Sequence, residues 1–176
     1  MKNILFLAIL SIGLLSCKDD DQNPNVLPEA TQSGKNTAGA LVDGKVWVAT
    51  TKQLDGNNGG THCNANGNNY RITLDLRKDK DSYNNAIYID VLIPNMEINK
   101  LYEIINQTPD NDFNYAIYTN GSGKSYSTNS NYTGKIKITR IDIQNQIVSG
   151  TFEFNAVDKD GNVVDITDGR FDKKFD

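Results

Sequence analysis

The sequence predicts an all-β chain: an antiparallel β-sandwich or flattened β-barrel of about nine strands with mostly meander connections. Three observations carry that expectation. Apolar and polar residues alternate at period two through most of residues 40–175, and no convincing amphipathic helix interrupts them. Turn-forming stretches such as Asp43-Gly44 and Asp158-Lys159-Asp160-Gly161 separate the alternating runs. Proline, which is awkward in sheets, is scarce at 4 in 176 residues, whereas turn-favouring Asn is frequent.

The N-terminus reads as an address. Lys2 is followed by an apolar run from Ile4 to Leu15, broken only by Ser11 and Gly13. That is about a dozen residues, short of the ~20 that span a bilayer as a helix, so a secretory signal over residues 1–16 is expected. Its end, Leu14-Leu15-Ser16-Cys17, resembles the bacterial lipobox. The resemblance implies that Cys17 is acylated and becomes the mature N-terminus, with outer-membrane lipid as its partner; more than one acyl chain makes such anchoring stable. The following Lys18, Asp19, Asp20 and Asp21 resemble the export signal of Bacteroidetes-type surface lipoproteins, which implies display on the cell exterior.

Residues 17–37 read as the lipidated Cys and a polar tether. Two prolines, few apolar residues and no period make this a linker. A flexible coil of that length spans roughly 25 Å. One all-β domain then fills residues 38–176, a size suited to a single core.

Within the domain, Ala40–Val42 and Lys45–Thr50 flank Asp43-Gly44 and read as a hairpin. Arg71–Arg77 alternates cleanly, with Ile72, Leu74 and Leu76 on one face. Ala86–Ile93 is more apolar, with only Asp90 against the trend, and is stopped by Pro94. Leu101–Ile105 is a short strand, and 113–119 places Phe113, Tyr115 and Ile117 on one face. Lys135–Ile141 directs Ile136 and Ile138 inward, and Val148–Val157 directs Phe152, Phe154 and Ala156 inward. Asn162–Thr167 returns, Asp168-Gly169 signals a turn, and Arg170–Phe175 is a last strand. Two segments rich in Gly, Asn and Ser, 54–69 and 120–131, read as long loops.

The ending IVSGTFEFNAVDKDGNVVDITDGRFDKKF resembles that of uncharacterised Bacteroidetes lipoproteins, which carry a Gly-Thr-Phe-x-Phe strand, a turn and a closing Asp-Gly-Arg-Phe-Asp strand. The stretch LPEATQSGKNTAGALVDGKVW is similar to the opening of such domains. The resemblance implies an extracytoplasmic all-β lipoprotein domain and transfers no catalytic residue.

The chemistry candidates are few. Lys+Arg 18 against Asp+Glu 22 leaves a formal charge of −4, without the clustered basic face that nucleic acid requires, so no nucleic-acid partner is expected. His62-Cys63 is a lone imidazole beside a lone thiol; neighbours in an extended chain point to opposite sides, and zinc would need further ligands. Gly121-Ser122-Gly123-Lys124-Ser125 lacks the first Gly of a phosphate loop, since that position is Tyr118. Asp158, Asp160 and Asp165 offer hard oxygens, but the spacing fails the calcium-loop pattern and a plain hairpin turn is favoured. Asp168, Arg170 and Asp172 alternate along the last strand and read as an ion-pair cluster. Trp47, His62, Tyr126 and Tyr132 form the candidate ligand surface, because aromatic faces suit flat sugar surfaces. No catalytic residue, metal or cofactor is expected. The sequence therefore favours a surface-exposed, lipid-anchored binding or accessory module for a glycan or protein ligand. A small extracytoplasmic hydrolase and a structural envelope lipoprotein are the alternatives.

Overall fold

A computed structural model describes residues 25–50, 60–78, 83–105 and 114–176. Cys17 and Lys18, Asp19, Asp20 and Asp21 lie outside them, as do part of the 54–69 segment and Phe113. Among the described residues there are eleven strands and no helix. They are β1 (Thr37–Val42), β2 (Lys45–Val48), β3 (Thr61–Asn66), β4 (Asn69–Arg77), β5 (Ala86–Ile93), β6 (Leu101–Ile104), β7 (Tyr115–Thr119), β8 (Ser125–Ser127), β9 (Gly134–Asp142), β10 (Ile147–Val157) and β11 (Val163–Lys174).

Every pairing is antiparallel, and the strands run β2-β1-β11-β10-β8-β7-β5-β4-β3 in one curled sheet. One edge of β10 is shared: β9, with β6 beyond it, takes residues 147–154, and β8 takes Val157. The curl returns on itself at one end, where the Thr50 N–H donates to the Arg77 carbonyl at 2.9 Å and the Thr50 hydroxyl donates to the Lys78 carbonyl at 2.6 Å. The result is a half-barrel, as the alternation predicts.

The inner face of the curl is the core. Ile72, Leu74 and Leu76 from β4 meet Ile87, Ile89 and Val91 from β5, with Ile136, Ile138, Phe152, Phe154 and Phe171 across from them. Each such fully buried side chain contributes roughly 1.5–3 kcal/mol. On β7 the inward residues are Ala116 and Tyr118, so Tyr115 and Ile117 do share a face, but it is the outer one.

Three elements differ from the sequence expectation. Thr61–Asn66 is a strand, because Thr61, Cys63 and Ala65 alternate with His62, Asn64 and Asn66 in a register that closes on β4 through Gly67. Ser125–Ser127 is a strand as well, paired with β7. Polar composition hid both as loops, and backbone pairing formed them. Conversely, Asp168-Gly169 is no turn: β11 runs through it. Phe152 pairs with Gly169 and Phe154 with Ile166, so Thr167 and Asp168 together oppose Glu153 in a β-bulge. Asp168 takes the left-handed conformation there, at φ +50°.

Part of the stretch read as tether is docked. Asp172 is only 1 % exposed and accepts five hydrogen bonds. They come from the Thr31 hydroxyl at 2.6 Å, the N–H groups of Ser33, Gly34 and Lys35 at 2.9, 2.8 and 3.2 Å, and the Ser149 hydroxyl at 2.8 Å. Further along, Pro28 lies so close to β1 that a Cβ on Gly39 would come within 2.8 Å of its Cδ. Residues 27–35 thus form a strap across the outside of the sheet. Burial works to raise the Asp172 pKa, but the five donors outweigh it and hold the carboxyl below its usual range.

Candidate functional site

The sequence-predicted surface residues do not gather. Trp47 is buried at 3 % exposure, with its indole N–H donating to Asn85 Oδ1 at 3.0 Å, so its ring belongs to the core. The driving force is area: an indole on an inward strand position removes more apolar surface from water than it could offer a ligand. His62 stands on the outer face of β3, half exposed, with Nδ1 2.6 Å from Asp176 Oδ1. Cys63 points the other way and is buried, and burial pushes its thiol up to about 11, which keeps it protonated and inert near neutrality. Tyr126 is half-buried against Tyr118, with ring centroids 6.0 Å apart. Tyr132 lies in the turn before β9, its N–H donating to Asn129 Oδ1 at 3.0 Å.

The other motifs resolve as turns. Asn120 Oδ1 accepts the N–H groups of Ser122 and Lys124, which makes the phosphate-loop look-alike a tight turn between β7 and β8. Lys124 is ion-paired with Asp158 and lies 3.6 Å from Asp160. Asp158 also accepts from Asp160 N–H, Asn162 N–H and the Asn162 side chain at 2.7–2.9 Å. Burial opposes ionisation of Asp158, yet Lys124 and these donors hold its pKa far below the usual carboxylate range. With its oxygens committed to N–H donors, Asp158 closes a hairpin. Among the described residues no group of His, Cys, Asp and Glu is placed to hold a metal.

A concave surface exists elsewhere, on the outer face of β9, β10 and β11. Two adjoining hollows of about 490 and 390 Å³ share Lys135 and Glu153 along it. Volumes of this order suit a small ligand or a segment of a longer one. The first is bordered by Ala30 of the strap and Leu101 of β6, the second by Asn155, Asp165 and Thr167.

Strand register sets the charges. One row runs Leu101, Lys137, Thr151, Arg170 across β6, β9, β10 and β11. The next runs Glu103, Lys135, Glu153 and then the bulge at Asp168. With strands about 4.8 Å apart, Lys137 and Arg170 leave the backbone about 10 Å from one another, on either side of the Thr151 hydroxyl. Lys135 and Lys137 leave it about 7 Å apart along β9. Among the described residues Lys135, Lys137 and Glu153 form no ion pair, whereas Arg170 donates its Nε–H to the Asp168 carbonyl at 3.1 Å and places Nη2 3.9 Å from Asp168 Oδ1. Close backbone approach shapes the upper end: a Cβ on Gly134 would lie 2.3 Å from Phe154 Cβ and 2.4 Å from the Glu153 carbonyl, so only Gly fits.

Sequence reasoning singled out the alternation of Lys135 and Lys137 but not the groove. The signal was present as a run of outward charges on two neighbouring strands. What was missing was the register that aligns them, and the bulge that brings Asp168 and Arg170 alongside.

Residues 36–173 match a domain of unknown function, DUF6252, and the chain belongs to that family. No curated protein and no solved structure matches it.

Proposed function

We propose that this chain is a lipid-anchored surface module that binds a polar ligand in the groove across β9, β10 and β11. The observation that carries the reading is that Lys135, Lys137 and Glu153 stand in register in a concavity without ion partners among the described residues, beside an Arg170 paired with Asp168 at 3.9 Å. Charges that close a surface are paired; Lys135, Lys137 and Glu153 instead stand accessible around a hollow of ligand size.

The leader supports the anchored part of the reading. An apolar run ending at Ser16-Cys17, followed by Lys18-Asp19-Asp20-Asp21, fits acylation of Cys17, insertion into outer-membrane lipid and a domain facing the cell exterior. The likeness of the C-terminal strands to Bacteroidetes-type lipoproteins points the same way. Residues 27–35 are docked on the domain as a strap. The groove borders that strap at Ala30.

A glycan array probed with the full chain in mild detergent tests the binding role, with Lys137→Ala and the exposed, groove-remote Lys45→Ala as matched variants. Retention of a ligand that Lys137→Ala loses and Lys45→Ala keeps supports the groove. A null array, or equal loss in both variants, refutes it. Mass spectrometry of the mature chain tests the anchor, and an unmodified Cys17 refutes it.

A further inference from the structure

We infer that the ligand of this groove is an acidic glycan, a hydroxyl-rich chain whose carboxylate or sulfate group sits on Lys137, Thr151 and Arg170. The inference deepens the binding role proposed above and rests on it. The floor of the groove is mid-sheet: β10 is paired with β9 on one side and β11 on the other, so no free backbone edge is offered for a peptide to extend the sheet. Apolar anchoring is equally poor, because Leu101 at the rim is the one strongly exposed large apolar side chain bordering it. Recognition is left to polar side chains.

Those side chains are sorted. The row Lys137, Thr151, Arg170 sets a hydroxyl donor between two cations, which is a seat for an oxyanion through charge-assisted hydrogen bonds. Glu153 in the next row is an acceptor suited to sugar hydroxyls, as is the Asp165 oxygen left over beside the one that takes the Asn155 side-chain N–H. Among the described residues no exposed aromatic platform borders the groove, so stacking on neutral sugar faces is not the source of binding energy there. The chain as a whole is negative, at −4, so any attraction for an anion arises locally.

Isothermal titration of the full chain in mild detergent tests this with oligogalacturonate, its methyl-esterified form and a sulfated oligosaccharide. The acidic oligomer is expected to bind about tenfold or more tightly than the ester, the scale of one charge-assisted contact. Lys137→Gln is expected to weaken the acidic oligomer by about tenfold while leaving the melting temperature unchanged, and Lys135→Gln to act in the same direction. The sulfated arm decides which oxyanion is preferred, and binding of either oxyanion supports the assignment. Equal affinity for acid and ester, with both weakened by Lys137→Gln, overturns the anionic assignment and leaves the groove as a site. Failure of every oligomer to respond to either lysine variant overturns the groove itself.

Discussion

The outer faces of β4–β5 and of β9–β10–β11 carry the same kinds of residue and use them in opposite ways. On β4–β5, Arg71 grips Asp90 with two hydrogen bonds of 3.1 and 2.7 Å, and Asp90 is only 1 % exposed. Arg77 holds Asp75 in the same fashion, at 2.9 and 2.5 Å, under the ring of Tyr83 at 4.0 Å. On β9–β10–β11, Lys135, Lys137 and Glu153 stand in register without ion pairs among the described residues, around a hollow. Outward polarity on a strand is therefore not one signal. Paired and buried charge closes a surface; aligned, unpaired charge in a concavity leaves it open to a ligand.

The sharpest way to break that contrast is to remove a buried carboxylate. Asp172→Ala strands five donors and should cost about 3–5 kcal/mol in urea unfolding, and protease should then cut residues 27–35 in the otherwise folded chain. Asp90→Ala leaves a half-exposed Arg71 without its bidentate acceptor and should cost about 2–3 kcal/mol. A loss below about 1 kcal/mol for either would show that these pairs do not organise the face.

Gly134→Ala ranks next. The added methyl meets Phe154 and the Glu153 carbonyl at under 2.5 Å, so the β9–β10 pairing must shift; about 1–3 kcal/mol is expected, with ligand binding weakened in parallel.

The pH dependence of the strap follows in size. Asp172 has a folded pKa below the ordinary value of about 3.9. Its contribution is therefore complete above that value and is lost as pH falls through the lower, folded one. Hydrogen-exchange protection at residues 31–35 should be intact at pH 5 and be lost only as pH falls below the ordinary carboxylate range, ahead of the core strands. Simultaneous loss of strap and core would contradict the assignment of this transition to Asp172.

The smallest expected effect is the other half of the contrast. Lys135→Ala and Lys137→Ala should change stability by less than about 0.5 kcal/mol, as charges outside the packing do. A larger loss would make them structural and remove the distinction between the two faces.

Much of the fold was legible because inward positions carry large apolar groups. Ile72, Leu74 and Leu76, or Phe152 and Phe154, can be placed by period two alone. The edge strand β3 was not legible: Thr61, Cys63 and Ala65 form a weak apolar face among Asn and Gly, and their pairing with β4 is a backbone property. Turns use part of the Asn content: among the described residues five of the eight non-Gly residues at positive φ are Asn36, Asn85, Asn95, Asn99 and Asn114. Asp168-Gly169 has turn chemistry yet serves a bulge, because the pairing of β11 with both β1 and β10 continues past it. The groove was hidden for a related reason. Lys137, Thr151 and Arg170 are far apart in sequence, and only strand register sets them side by side.

Amide chemical-shift mapping of the full chain with oligogalacturonate is the most direct test of where the ligand binds. The account predicts perturbations centred on Lys135, Lys137, Thr151, Glu153 and Arg170, with Arg71, Asp90 and Tyr115 unmoved. Perturbations centred on the β4–β5 face, or on Tyr126, which lines neither hollow, would contradict it.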